Sequence, residues 1–527
     1  GQTPPSFAKC GVDSGCQSWV AMTRAPTSLA LRTASLTSGM IASPPRTERL
    51  PAGSAKSFCT STTTSAVRSS YRLTATDGRG PPCLSVGDEP LLTNHDRRLV
   101  PCRGALSPWL EEALADEGDP GPLPALTGTT DADIAIVGGG YTGLWTAIHL
   151  VERDPALRIV LLEADICGGG PSGRNGGFAL SWWDEAASLV DAYGPERALA
   201  CLRESERSVH AIADWCARHD VDAHVRIGGE LVVSTTPAHD NRWAADVAAA
   251  ALLGDPAALR ALSPPDVAAR VRSPRFRGGA LMRDAATVHP ARLVRGLRRV
   301  CLERGVAIHE RSRVTGISRR AAGVRVRTAD GEVHARRAVL AVNAWAASWA
   351  PARHRILAWG SWMVRSEPIP DLVRTELGWT GGECVIDARA SVHYLHVTRD
   401  GRIAIGAGGG RPGLGGRIGP SLTDDVASAR RAAFAFRWLF PALRDVRLTD
   451  AWGGPIDISP DHLPHLWPAM QGRVLIAAGY SGNGVAPSHL LGRVLAAMAV
   501  DAGPRTILGG APQTRGKGPA GSGGPDR

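Results

Sequence analysis

The residues with the clearest chemical meaning stand at Gly138-Gly-Gly140-Tyr141-Thr142-Gly143. Three glycines at this spacing suit a backbone that bends beneath a pyrophosphate. Gly138 permits the tight turn, Gly140 lets the chain approach phosphate oxygens, and Gly143 lets a helix lie close against a sheet. The spacing carries information only between a strand and a helix, and the flanks supply both. Ile134-Ala-Ile-Val137 reads as a short buried strand, and Leu144–Arg153 has helical spacing. The first N–H groups of that helix, at Tyr141 and Thr142, offer donors and a partial positive charge to an anion. Twenty residues past Gly143 comes Glu163, followed by Ala164, at the end of a second strand, Arg158-Ile-Val-Leu-Leu162. A carboxylate there accepts hydrogen bonds from ribose hydroxyls and repels a 2′-phosphate, which disfavours NADP.

A second glycine-rich run, Gly168-Gly-Gly-Pro-Ser172-Gly-Arg174-Asn175-Gly176-Gly177, begins just after this acidic residue. A simple nicotinamide dehydrogenase has no need of it. An extended FAD does, because its pyrophosphate and flavin ask for further backbone donors. Arg174 supplies charge there, and Ser172 and Asn175 supply polar contacts.

The elements that must position these loops follow an α/β order. After the two strands above come Gly323-Val-Arg-Val-Arg-Thr and Gly331-Glu-Val-His-Ala, joined by a turn, then a buried strand Val339-Leu-Ala-Val. Val474-Leu-Ile-Ala-Ala precedes a glycine-rich turn and a long last helix from about Val485 to Val500. Ser107-Pro-Trp-Leu-Glu-Glu-Ala-Leu-Ala suggests a short capped helix in a leader segment, 103–130. The stretches at about 190–275 and 350–440 read as more irregular.

The chain has 527 residues, room for two to three domains at ~150 residues each. No apolar run reaches the ~18 residues of a membrane helix, so no membrane span is expected. The formal charge of +10 sits mostly at the ends. Residues 1–102 hold 11 Lys and Arg against 6 Asp and Glu, and 505–527 hold 4 against 1, which leaves the body near neutrality and argues against a nucleic-acid face. The three lysines, Lys9, Lys56 and Lys517, also lie in the ends, which excludes a Walker-A loop, a pyridoxal Schiff base or a lysine base in the body. Ten cysteines form no C-x-x-C, so no metal site is expected, and a reducing, cytoplasmic setting fits. Residues 1–102, with 27 Ser and Thr and no sustained apolar period, read as a disordered or spurious extension, and 501–527 as a flexible tail.

Taken together, the motifs resemble the D-amino-acid oxidase family of FAD-dependent oxidoreductases, in particular its gamma-glutamylputrescine oxidoreductase-like branch. The likeness runs over about 105–500. It rests on Val137–Leu144, Leu161–Asp165, Ser172–Gly177, Val288-His-Pro290, Leu340–Trp345, Trp452–Asp457, Asp461–His465 and Gly479–Val485. It implies an α/β fold: a discontinuous Rossmann-like FAD-binding domain (131–185, 276–346 and 441–500) with a mixed α+β substrate domain (186–275 and 347–440). It also implies a third cofactor contact at Gly479, Ser481, Gly482, Asn483, Gly484 and Val485, where a helix start suits the negative charge of reduced flavin. Val314 resembles the position, at a strand end, whose backbone touches adenine. The reaction implied is oxidation of the C–N bond of an amine or amino acid to an imine, with electrons passing to dioxygen or another acceptor. FAD is expected to be non-covalent, since neither Cys384 nor Cys167 sits where a covalent link is expected. Relatives commonly carry Tyr-Tyr-Arg where this chain has Tyr394-Leu395-His396. Tyr394, His396 and Trp452 are the candidate catalytic residues, with His396 a possible pH-dependent cation in place of the arginine. Trp452 and Asp457 stand either at the flavin or at a turn that they pin. The alternatives are a flavin-binding pseudo-enzyme or partner subunit without turnover and, less favoured, an FAD monooxygenase.

Overall fold

The structure is a computed structural model and describes residues 92–99, 106–423 and 425–500. Two large sheets carry most of it. The first has eight strands, with a parallel centre in the spatial order Ala307–His309, Ile159–Leu162, Gly128–Val137, Gly331–Leu340, Val474–Ala478. This is the Rossmann-like core that the glycine motif requires. Two of its strands are longer than their apolar patterns suggest. The outer half of Gly128–Val137 is polar and largely exposed, so only Ile134–Val137 carries the apolar signature. Gly331–Leu340 is one strand where the pattern suggests two, because Arg336 and Arg337 interrupt the apolar run. Arg337 donates to the Ala499 carbonyl at 3.1 Å, at the C-terminal end of the last helix, where a cation is favoured.

Helices Tyr141–Arg153 and Val485–Val500 pack together beside this sheet, burying Leu144, Trp145 and Ile148 with Leu491, Val494 and Leu495. Gly492 makes the approach possible, since a Cβ there would lie 2.5 Å from Trp145 Cβ.

The second sheet is mixed and has nine strands, with Leu357–Ser366 paired to Ile403–Ala407 on one side and Leu448–Ile458 on the other. Strands His393–Val397, Cys384–Asp387, Glu230–Val233, Gly279–Met282 and Leu259–Leu262 continue it. A third sheet joins Phe178–Leu180, Ala285–Thr287 and Arg226–Ile227. The stretches that read as irregular therefore hold regular structure, including the 24-residue helix Pro195–Arg218. Its pattern is masked because charged residues fall on its buried face: Glu204 pairs with Arg207 and Arg493, and Glu206 with Arg203.

Residues 92–99 depart from the expected disordered extension. Leu92 and Leu99 enter the core of the second sheet. Asp96, fully buried, accepts from Arg437 Nη2 at 2.8 Å and Nε at 2.9 Å. Nothing periodic in this short polar stretch announces the docking, which joins the two leucines, the Asp96–Arg437 ion pair and an Arg430 hydrogen bond to the Arg97 carbonyl at 2.9 Å. Asp96→Ala strands a buried guanidinium and is expected to cost ~3–5 kcal/mol of stability. A urea titration checks this, and a change below ~0.5 kcal/mol, as at an ordinary surface site, would contradict the docking. Residues 1–91, 100–105 and 501–527 lie outside the described residues.

Candidate cofactor and active site

At the end of Gly128–Val137 the chain turns through Gly138 at φ +110°, where a Cβ would overlap the Ala341 carbonyl. A Cβ on Gly143 would overlap the Gly138 carbonyl, and one on Gly140 would crowd Ser172 Oγ at 2.8 Å. Each glycine thus leaves room that no other residue leaves. Glu163 closes one side: Oε2 accepts from Gly139 N–H at 2.7 Å and Oε1 from Asp165 N–H at 2.9 Å. Burial pushes its carboxyl above the ordinary value, against the pull of these donors. The chain after Ala307–His309 runs alongside, with Ser312 N–H on the Glu163 carbonyl at 2.7 Å. Val314 lies beyond that strand, in the connection to Gly316–Arg320, rather than at its end.

The second glycine loop shapes itself. Asn175 spends its amide on it, accepting from Gly177 N–H at 2.8 Å and donating to the Pro171 and Ser172 carbonyls at 3.1 and 3.0 Å. Arg174 Nε donates to the Gly169 carbonyl at 2.8 Å. Ser172 Oγ accepts from Tyr141 N–H at 2.9 Å, which ties the loop to the helix start.

The third turn is tied in through Tyr480, whose hydroxyl lies 2.5 Å from Thr142 Oγ1. Gly479, Ser481 and Gly482 all take positive φ, at +93°, +54° and +91°. Asp457 holds this conformation, accepting from Gly479 N–H at 2.5 Å, Tyr480 N–H at 3.1 Å and Asn343 Nδ2 at 2.8 Å. Of its two open roles the structure therefore shows the pin. Asn483 Oδ1, just before the helix Val485–Val500, is buried without a partner.

Beside Gly176 and Gly177 stands an aromatic patch. The Tyr394 ring fills the space that Cβ atoms on Gly176 and Gly406 would need, and its hydroxyl meets Ser361 Oγ at 2.8 Å. Phe178 sits edge-on to Tyr394 at 5.9 Å and 5.7 Å from the His396 ring. His396 is 3 % exposed, and neither ring nitrogen has a partner. Burial, with a smaller push from His289, pulls it down to about 4. It is neutral at physiological pH, which corrects the expectation of a cation in place of the missing arginine. Trp452 is fully buried, and its indole N–H donates to the Arg174 carbonyl at 2.8 Å. It braces the second glycine loop from behind.

Sequence reasoning missed Trp109. The leader helix Pro108–Asp116 places it edge-on to Trp452 at 5.6 Å and His396 at 6.3 Å. Ser107 caps that helix and also donates to the Gly173 carbonyl, while Glu112 bridges His289 and Arg365 at 3.2 and 2.7 Å. The cap is legible in the sequence. Its second contact, across the chain to Gly173, is not.

The neutral state of His396 has a measurable consequence. Its folded pKa lies below its unfolded value, so the unfolded chain binds the extra proton between pH 6.5 and about 4. Stability is complete above that window and is lost as pH falls through it, by ~3 kcal/mol. His396→Phe is expected to remove this loss, and the stability difference between wild type and variant, followed by urea unfolding from pH 7 to 4, reads it directly. A pH-independent difference would contradict the neutral histidine.

The three glycine loops are tied together by the Tyr141–Ser172 and Thr142–Tyr480 contacts, with Glu163 closing the first turn and the unpartnered Asn483 Oδ1 in the third. Carboxylate acceptors, backbone donors and helix starts suit an extended dinucleotide, so these residues fit FAD. Comparison with known proteins agrees. The family model described as DAO, FAD dependent oxidoreductase, matches residues 133–498. The oxidoreductase OrdL of Rhizobium meliloti is 29% identical over 409 residues, covering 74% of this chain and 88% of its own. Gamma-glutamylputrescine oxidoreductase of Escherichia coli is 28% identical over 386 residues, covering 71% and 85%. Among solved structures, glycine oxidase from Geobacillus kaustophilus superimposes with a TM-score of 0.58 at 21% identity, over 70% of this chain and 94% of its own. L-proline dehydrogenase from P. horikoshii gives 0.58 at 20%, over 72% and 94%. The chain belongs to the DAO family of FAD-dependent oxidoreductases.

Proposed function

We propose that the protein oxidises the C–N bond of an amine to an imine, with FAD held non-covalently and electrons passed on to dioxygen or another acceptor. The cofactor residues are Gly138, Gly140, Tyr141, Thr142, Gly143, Glu163, Ala164, Ser172, Arg174, Asn175, Gly176, Gly177, Val314 and Gly479 with Ser481–Val485. The eight-stranded sheet carries most of these, and the nine-stranded sheet presents the substrate face through Tyr394 and His396. The names of similar proteins support oxidation at a C–N bond but span both substrate classes, gamma-glutamylputrescine on one side and glycine and L-proline on the other.

One observation favours an amine over a carboxylate-bearing amino acid. His396 is uncharged, and Arg365, over the Trp109 ring at 4.8 Å, is already engaged by Glu112 and Asp450. FAD supplies the two-electron acceptor. The chain's own contribution is an aromatic patch of Tyr394, Phe178 and Trp109 around His396, whose apolar faces favour the neutral amine over its ammonium form. The Tyr394 hydroxyl, fixed by Ser361, offers a polar contact to orient the substrate. The five cysteines among the described residues are free and buried, which a reducing, cytoplasmic setting would suit.

The test is anaerobic bleaching of the flavin absorption band of the full-length holoenzyme. Primary or secondary amines are expected to bleach it and the matching α-amino acids are not. Bleaching by amino acids alone would overturn the preference. A folded chain that cannot be reconstituted with FAD would overturn the reading as a whole.

A further inference from the structure

Of the large apolar side chains left in solvent, two stand together. Leu414 is 75 % exposed and Leu357 is 37 % exposed. Leu357 begins the strand Leu357–Ser366, and Leu414 follows the short strand Pro412–Gly413. Those strands pair Ala358 with Gly413, so the next step of the same register sets Leu357 opposite Leu414.

The backbone holds Leu414 in this place. Gly415 and Gly416 take φ of +64° and +72°, and a Cβ on Gly416 would overlap the Ala347 carbonyl, so the loop lies hard against the turn Asn343–Ser348. Arg417 N–H closes it on the Leu414 carbonyl at 3.3 Å. Nothing lies within 4 Å of a would-be Cβ on Gly415, at the outer end of the loop. The tip therefore projects from the body.

The charge around the two leucines has one sign. Segments 343–360 and 408–419 contain Arg353, Arg355, Arg411 and Arg417 and no Asp or Glu. All four arginines are exposed. Arg411 has a carboxylate partner, Asp425 at 3.4 Å. Among the described residues no acid pairs with Arg353, Arg355 or Arg417. Asp461, just past the neighbouring strand Leu448–Ile458, is engaged by His465 at 2.8 Å. On a body that is otherwise close to neutral, this is a local concentration of unpaired cations.

An apolar tip among unpaired cations matches a surface that is anionic outside and apolar just beneath. Lipid phosphates take the guanidinium groups, and the headgroup–acyl boundary takes the leucines. A nucleic acid would use the arginines and leave the leucines in water. A projecting tip also offers no groove for a partner's helix or peptide.

We propose that Leu357 and Leu414, with Arg353, Arg355 and Arg417, form a peripheral docking surface for an anionic lipid bilayer. Among the described residues no helix is long and apolar enough to cross a membrane, and this mode of attachment needs none. It is reversible and weakens as salt screens the arginines. Ile356, the neighbour of Leu357, lies against Gly479, so the docking face adjoins the third cofactor turn. The inference is independent of which amine is oxidised.

The experiment sediments the full-length holoenzyme with vesicles of phosphatidylcholine containing phosphatidylglycerol, and with phosphatidylcholine alone. The wild type is expected to bind the anionic vesicles at least roughly tenfold more tightly, and less so as salt is raised. The double variant Arg353→Glu, Arg417→Glu is expected to lose at least about tenfold, since each arginine near an anionic surface is worth roughly fivefold in binding. Leu414→Asp should weaken binding as well. The basic end segments are common to all three proteins, so the differences read the patch alone. The urea midpoint should stay that of the wild type, since these side chains are exposed. Variants that bind the vesicles as the wild type does would overturn the proposal, as would a wild type that does not bind. A wild-type dimer that Leu414→Asp splits, with no vesicle binding, would show that the face joins two copies of the chain and would overturn it too.

Discussion

Gly138→Ala is expected to yield a protein that purifies without flavin and unfolds ~3 kcal/mol more easily, from strain and overpacking combined. Two separate costs meet at this position. Its φ of +110° lies where an L side chain is strained, and the added Cβ would overlap the Ala341 carbonyl, which is backbone and cannot rotate away. Ala341 follows Gly331–Leu340 and donates its own N–H to the Val137 carbonyl at 2.9 Å, so relief would mean opening the central strand pair. Gly254→Ala separates the two costs. Gly254 also has a positive φ, +83°, but nothing lies within 4 Å of its would-be Cβ. That variant is expected to lose only ~1 kcal/mol of strain energy and to keep its flavin. The ratio of flavin to protein absorbance, with a urea midpoint, distinguishes them. Full flavin content in Gly138→Ala would mean that the first turn does not hold the cofactor.

What is legible in the sequence is what local backbone geometry writes there. Gly138, Gly140, Gly143 and Glu163 lie within one strand–helix–strand unit, so a single window holds both the glycines and the elements that give them meaning. The same applies to the turn at Gly479–Gly484. Contacts between distant segments leave no such mark. Gly176 and Gly406 are small because the Tyr394 ring lies against both, yet neither spacing says so. Trp109 joins the aromatic patch only because Ser107 and Glu112 fasten its helix across the chain. The helix Pro195–Arg218 was obscured for a related reason, since its buried carboxylates look like surface residues until Arg493, far along the chain, pairs with Glu204. His396 shows the limit most clearly. The sequence shows a histidine where relatives have an arginine, but only burial among Phe178, Trp109 and His289 determines that it is uncharged.

Asp457→Ala is expected to be the most damaging single change outside the glycine motifs. It strands the N–H groups of Gly479 and Tyr480 and the Asn343 amide at once. Each abandoned buried donor costs ~1–3 kcal/mol, so a loss of ~3 kcal/mol or more and an empty cofactor site should follow. Asp457→Asn is the sharper probe. Its single oxygen can serve only one of two N–H groups that go to separate oxygens in the wild type, so flavin retention should also drop. Its pH dependence, however, should change in the opposite sense to that of His396→Phe. Burial raises Asp457 to about 6 in the flavin-free fold, above its ordinary 3.8. The folded state therefore holds the extra proton across that window, and stability present below pH 3.8 is lost as pH rises through 6, by ~3 kcal/mol. His396 loses a similar amount as pH falls through nearly the same window, so the two contributions largely cancel in the wild-type protein. Flavin-free Asp457→Asn should thus grow more stable between pH 4 and 6 relative to wild type, and His396→Phe less stable relative to wild type over the same rise. A parallel pair of curves would show that one of the two buried groups is solvated in the folded protein.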